Sequence, residues 1–320
     1  MILVRTPLRI SFAGGMSDIP SYYKEHGGAV LNAAIDKYVY IVVKDHFSDE
    51  FLLKYSQTEN VTNSKDIKHP LIKETMKYFD IKGGVEMGSF GDIPTNGTGL
   101  GSSSSFTVGL VHAIQKHSIF KNYGIYGECP VNQIVDMACD IELSISDIGK
   151  QDQHAAAYGG LNLFEWSKDD SSRFPIVIPP QLEDNLLLFF TGDNRDTNKI
   201  LNNFDTFDHS YIKELVNMSY LMTAQLKVGD IDGFGKGMDK VWELKKKASS
   251  LISTKNIDAM YNTAKEAGAY GGKICGAGGG GFLLLYVPKE NHQNVREALK
   301  DYKELHFKFD TEGSKVLYEH

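Results

Sequence analysis

Three features of the sequence predict an α/β fold. Strand and helix patterns alternate along all 320 residues. A strand pattern at residues 84–90 runs into the loop GTGLGSSSS at residues 97–105 and then into a helix with Thr107, Leu110, Val111 and Ile114 on one face. Short apolar runs at residues 161–166, 185–191 and 282–287 read as strands. There is no internal repeat and no low-complexity linker. A composition shift near residues 180–195 marks the expected boundary between two domains, 1–185 and 186–320.

Residues 1–12 alternate as a strand with Arg9 between Leu8 and Ile10, and a tight polar loop follows at residues 13–18. Pro20 starts a short helix that Gly27 and Gly28 end. Residues 29–43 are rich in β-branched and aromatic side chains and read as one or two strands, with Asp36 and Lys37 at a turn or on a polar face. Residues 48–70 are polar without a regular pattern, and 71–79 form a helix. The strand, glycine loop and helix described above come next. Residues 118–130 form a loop. A helix over 131–145 carries the stripe Val131, Ile134, Val135, Ala138, Glu142 and Ile145. The segment GKQDQHAAAYGG at residues 149–160 is a polar patch turning into a small-residue helix. Residues 210–267 are mostly helical with a break near 229–233. The stretch KICGAGGGG at residues 273–281 precedes a buried strand, and the chain closes with a helix over 295–302 and a last strand over 305–309.

Composition narrows the function. Net charge is −7, which argues against a nucleic-acid partner. The run Lys245, Lys246, Lys247 reads as a solvated helix face. Cys129, Cys139 and Cys275 are sparse, have no zinc spacing and read as small core residues in a reducing compartment. The N-terminal apolar stretch is too short for a signal core, and no run is long enough to span a bilayer. A cytoplasmic protein without membrane contact is expected.

The glycine–serine loop fits an anion. Glycines let backbone approach a ligand, and uncapped amides at a helix start favour phosphate. It also fits a plain Gly/Ser turn. It is not the common phosphate loop, which has Lys after its last Gly; here Ser102 follows Gly101. The missing charge must come from Mg²⁺ or a distant basic residue. Glu142 on the helix stripe is costly if buried unless paired or metal-bound, and otherwise turns to water. With Asp152 and Arg9, these pieces form a phosphoryl-transfer kit: a phosphate cradle, a carboxylate for Mg²⁺, a base and a cation.

On these residues the chain resembles the GHMP kinases, the superfamily of galactokinase, homoserine kinase, mevalonate kinase and phosphomevalonate kinase. Three ordered motifs carry the likeness: PLRISFAGGMSDIPSYY at residues 7–23, PTNGTGLGSSSS at 94–105 and KICGAGGGGF at 273–282. The segments HGGAVLNAAIDKY, GKQDQHAAAYGG and AGAYGGKICGAGGGGF are most similar to the bacterial heptose kinases, although Met16 stands where those carry a third Gly. The resemblance implies an α/β, two-lobed fold with a phosphate-loop N-terminal lobe and a ferredoxin-like C-terminal lobe. It implies ATP- and Mg-dependent phosphorylation of a sugar's anomeric hydroxyl. The expected acceptor is D-glycero-D-manno-heptose 7-phosphate, with a product used for nucleotide-heptose and surface polysaccharide. Another sugar, such as fucose or galactose, or a non-catalytic binding relative are the alternatives. A monomer or homodimer is expected.

Carried over residue by residue, the resemblance makes Asp152 the base and Arg9 the cation beside it. Gly97, Gly99, Leu100, Gly101, Ser102, Ser103, Ser104 and Ser105 would hold the nucleotide phosphates, with Ser103, Ser104 and Glu142 at Mg²⁺. Gly14, Gly15, Ser17 and Asp18 would meet the sugar. Lys150 and Arg195 are candidates for its distal phosphate. Gly278 and Gly279, within the glycines at 276–281, would reach the substrate or the phosphates through their amides. His26 and His154 read as packing or hydrogen-bonding residues.

Overall fold

The computed structural model describes residues 1–94, 97–192 and 210–320. Its larger sheet is organised around two long antiparallel strands, β1 (Ile2–Ala13) and β2 (Gly28–Asp45). Their register shifts between Pro7 and Leu8, leaving Asp36 and Lys37 opposite no residue of β1. Proline has no N–H to give the ladder, so an interior strand tolerates it at such a bulge. The bulge divides β2. Its first half pairs with β6 (Leu161–Trp166) and its second with β5 (Val85–Gly91). Asp36 and Lys37, expected at a turn or on a polar face, therefore sit at an irregularity inside one continuous strand.

Beyond β5 lie β3 (Phe51–Lys54), which is parallel to it, and β4 (Thr58–Val61). Beyond β6 lies β7 (Ser171–Ile176). These short strands were not expected from the sequence: β4 and β7 are edge strands with mostly polar or exposed residues, and the three apolar residues of β3, Phe51, Leu52 and Leu53, are too few to stand out within residues 48–70. On one face of the sheet pack α2 (Pro70–Tyr78), α3 (Ser102–Tyr123), α4 (Val131–Leu143) and α5 (Gln151–Tyr158), α3 directly on β1 and β2. Gly109 allows that approach: a Cβ there would lie 2.8 Å from Thr6 Oγ1. The short α1 (Pro20–His26) follows the loop after β1.

After α6 (Pro180–Asp184), the smaller sheet is antiparallel in the order β8 (Leu186–Phe190), β10 (Phe282–Tyr286), β9 (Gly271–Ile274). Leu284 and Tyr286 join the core shared with β1, α7 (Ser210–Val228) and α8 (Ile231–Ala248). Leu283 and Leu285 face a second core with Trp242, α9 (Lys255–Glu266) and α10 (His292–Ala298). Both faces are covered, which is why β10 reads as an unbroken apolar run. Phe12 of β1 meets Phe234 of α8 edge-on at 5.1 Å, so the lobes share one core.

The expected final strand at residues 305–309 is absent. Leu305 donates its backbone N–H to Leu188 at the smaller sheet, and Phe309 bridges Ile35 in the larger one, so this segment straps the lobes together. The last strand is β11 (Lys315–Glu319), on the edge of the larger sheet beside β1. Its mostly exposed side chains hide it from an apolar pattern.

Two glycine loops meet between the lobes. Gly99 has φ +74°, and a Cβ there would lie 2.4 Å from the Cys275 carbonyl oxygen. A Cβ at Gly281 would lie 2.5 Å from the Thr98 carbonyl oxygen. Gly124 has φ +68° with open space around it. Gly99→Ala is expected to cost about 1–3 kcal/mol in chemical denaturation, clearly more than Gly124→Ala. Equal losses would show that the loop contact carries no stability.

Candidate active site

A cleft of about 640 Å³ opens where β1, the loop 97–101, α5 and α8 converge. Arg9 projects from β1 into it, only 4% exposed. Its Nε donates to Asp152 Oδ1 at 2.7 Å and its Nη2 to Asp152 Oδ2 at 2.8 Å, a two-point pairing that fixes the carboxylate plane. Its Nη1 donates to the Gly99 carbonyl at 2.6 Å, while its own backbone N–H donates to the Leu100 carbonyl at 2.9 Å. One residue thus joins β1, the glycine loop and α5. Asp152 lies in the first turn of α5, its side chain 23% exposed toward the cleft.

Gly97, Gly99 and Gly101 all have positive φ, and no side chain caps the start of α3 at Gly101. Ser102, Ser103 and Ser104 line the cleft there. Glu142 of α4, 3% exposed, accepts on Oε2 from Ser104 Oγ and from Gln153 Nε2, each at 2.9 Å. Its Oε1 is buried with no hydrogen-bond partner. Burial, first, raises the Glu142 carboxyl from 4.5 to about 7, and the negative Asp152 adds to it. A hard oxygen-liganded cation suits this lone carboxylate oxygen beside serine hydroxyls, since Mg²⁺ is ordinarily held by one or two carboxylates plus phosphates and water. Among the described residues no three His, Cys, Asp or Glu side chains cluster as a self-contained metal cage.

Asp18 is buried at the end of the loop at 13–18. Its Oδ2 accepts from the Gln151 backbone N–H at 2.9 Å and its Oδ1 from Gln151 Nε2 at 3.2 Å. It therefore holds the start of α5, and with it Asp152. Burial pushes its carboxyl from 3.8 up to about 6. His154 packs among Phe164 and Trp166 with Nδ1 2.8 Å from the Lys150 carbonyl, and burial lowers it to about 4, as a packing histidine. Gly14 and Gly15 line the cleft, and Met16 beside them has φ +77°, a conformation natural to glycine.

Several expected residues stand elsewhere. Ser105 Oγ donates to the Pro7 carbonyl at 2.7 Å and Ser17 Oγ to the Gly14 carbonyl at 2.6 Å, so both hydroxyls tie backbone together inside the protein. Leu100 is fully buried and contributes only its carbonyl to Arg9. Gly278 and Gly279 pack on Ile252, and Gly279 donates its N–H to the Ile252 carbonyl at 2.8 Å; Gly276 and Ala277 line the cleft instead. The ammonium of Lys150 sits 5.5 Å over the Tyr23 ring, off the cleft lining. Arg195 lies outside the described residues.

Lys245 corrects the expectation of a solvated run. It is buried at the cleft, donating Nζ to the Ile274 carbonyl at 3.3 Å and to the Gly276 carbonyl. The signal was present: Met238, Val241 and Trp242 form a stripe that position 245 extends. Lys273 is also buried at the cleft, its Nζ 2.5 Å from the Ser11 carbonyl. Lys246 pairs with Glu243 outside.

Residues 69–160 match the family described as GHMP kinases N terminal domain, and residues 222–304 the family described as GHMP kinases C terminal. The chain is 28% identical to the D-glycero-alpha-D-manno-heptose 7-phosphate kinase of Campylobacter jejuni over 93% of each chain. It is 24% identical to the galactokinase of Pyrococcus furiosus over 93% of this chain and 92% of that one. The crystal structure of a D-glycero-D-manno-heptose 1-phosphate kinase from Bacteriodes thetaiotaomicron shares the fold at a TM-score of 0.79, with 24% identity and full coverage of both chains. No helix among the described residues is long and apolar enough to cross a membrane.

The raised Glu142 carboxyl has a consequence for stability. Its contribution is full below about pH 4.5 and is lost as pH rises through about 7. Glu142→Gln is therefore expected to gain on the wild type by up to about 3 kcal/mol between pH 4.5 and 8, in urea unfolding of metal-free, nucleotide-free protein. A pH-independent difference would show that Glu142 titrates normally.

Proposed function

The chain belongs to the GHMP kinases and is a sugar kinase, and from that premise we propose that it transfers the γ-phosphoryl group of ATP to the anomeric hydroxyl of D-glycero-D-manno-heptose 7-phosphate, giving the 1,7-bisphosphate. The observation carrying this reading is the Arg9–Asp152 pair facing the buried Glu142–Ser104 contact across one glycine loop. The similarity to a heptose 7-phosphate kinase along nearly the whole chain supports the acceptor.

The residues divide the work as follows. Uncapped amides at the start of α3, with Ser102, Ser103 and Ser104, hold the donor phosphates. Glu142 Oε1 and the serine hydroxyls would hold Mg²⁺, which when bound neutralises charge on those phosphates. Asp152 accepts a hydrogen bond from the sugar O1–H and takes its proton as the O1–Pγ bond forms and the bond from Pγ to the bridging oxygen of ADP breaks. Arg9 keeps Asp152 in place, and its remaining N–H donors face charge developing on the transferring group. Asp18 holds α5 through Gln151, and Gly14 and Gly15 line the cleft where the sugar would sit.

The test is ADP release from Mg-ATP with D-glycero-D-manno-heptose 7-phosphate, mannose 6-phosphate, fucose and galactose. Turnover is expected with the heptose phosphate, and Asp152→Asn should lower kcat roughly 10²- to 10⁴-fold with the fold retained. Turnover only with an unphosphorylated sugar would replace the acceptor. Unchanged kcat in the Asn variant would remove Asp152 from its role.

A further inference from the structure

Two lysines at the cleft have no counter-charge among the described residues. Lys245 and Lys273 are both buried, on α8 and β9. Their hydrogen bonds run only to backbone carbonyls, two from Lys245 and one from Lys273, and neither pairs with a carboxylate among the described residues. An ammonium has three N–H donors, so one remains on Lys245 and two on Lys273. Burial depresses both groups, Lys273 to about 8, and the neighbouring Arg9 depresses them further. Buried cations massed without an anion are costly in an empty protein. Together with Arg9, which is already taken by Asp152, they are the cations lining the cleft among its described residues.

Their position follows from β1. Lys273 is anchored on the Ser11 carbonyl, two residues beyond Arg9 toward the loop at 13–18. Two residues of strand span about 7 Å, comparable to the distance between the two ends of a ring-form heptose. A sugar with one end at Asp152 is therefore long enough for its other end to meet Lys273. The donor phosphates, by contrast, are assigned to the start of α3, beside Glu142.

Resting on the function proposed above, we propose that Lys245 and Lys273 form the site for the acceptor's own, non-transferred phosphate. This replaces Lys150, whose ammonium covers Tyr23. The lysines read the far end of the sugar and make the enzyme selective for a phosphorylated acceptor.

The test is steady-state kinetics of Lys245→Met and Lys273→Met with D-glycero-D-manno-heptose 7-phosphate and ATP varied separately, with thermal melting of each variant. KM for the heptose phosphate should rise roughly 10- to 100-fold, with KM for ATP within about twofold and Lys273→Arg recovering much of the loss. A rise in KM for ATP instead would assign the lysines to the donor and overturn the proposal, as would unchanged constants for both substrates. If a Met variant fails to fold, Lys245→Gln and Lys273→Gln give the same reading. Wild-type turnover of the heptose phosphate with silent variants defeats this site alone. Wild-type turnover restricted to unphosphorylated sugars defeats the acceptor assignment and this site together.

Discussion

The guanidinium of Arg9 is the contact on which the rest of the cleft depends. It is buried, so each donor must find a partner or cost free energy, and the fold supplies three at once. Two are the oxygens of Asp152 and the third is the carbonyl of Gly99. A lysine would offer a point charge without the planar fork that sets the Asp152 carboxylate in a fixed orientation. The β1 backbone adds a hydrogen bond to Leu100, so the glycine loop is held by main chain and side chain of one residue. Phosphoryl transfer is mostly positioning and electrostatics, and in the function proposed above both would begin from one strand residue.

Around Arg9 the protein gathers charges that burial disfavours. The carboxyls of Asp18 and Glu142 are pushed up, and the ammonium groups of Lys245 and Lys273 are pushed down. All of these shifts have desolvation as their first cause. Such groups gain from ligands of opposite charge, and a cation at Glu142 or a phosphate at the lysines would restore the ionised forms. The stability of the empty protein is set against readiness to bind, a familiar arrangement at functional sites.

The glycines have two separate uses. In the loop at 97–101 they give positive φ, so that the chain can turn into α3 without a side-chain cap. In the stretch at 276–281 several let one loop press on another, as Gly276 on Gly99 and Gly281 on Thr98. The second use was expected to be substrate approach. Backbone packing against backbone leaves the same sequence signature, because both require a missing Cβ.

The sequence by itself determined the alternation of strands and helices and the three glycine-bearing motifs, and it singled out Arg9, Glu142 and Asp152 as candidates. Those features are local: a period of two or 3.6, a turn that needs Gly, or an ionisable residue on an apolar stripe. Only the tertiary structure decided what faces the cleft. It turned Ser105 and Ser17 inward to backbone carbonyls, set Asp18 on the start of α5, and drew Lys245 out of an apparently solvated run. It also carried residues 303–310 across both sheets and placed β11 beside β1. Each outcome depends on a partner distant in sequence, such as Gly276 for Lys245 or Gln151 for Asp18. No spacing within one segment encodes which carbonyl or amide from elsewhere in the chain will arrive to satisfy a buried polar group.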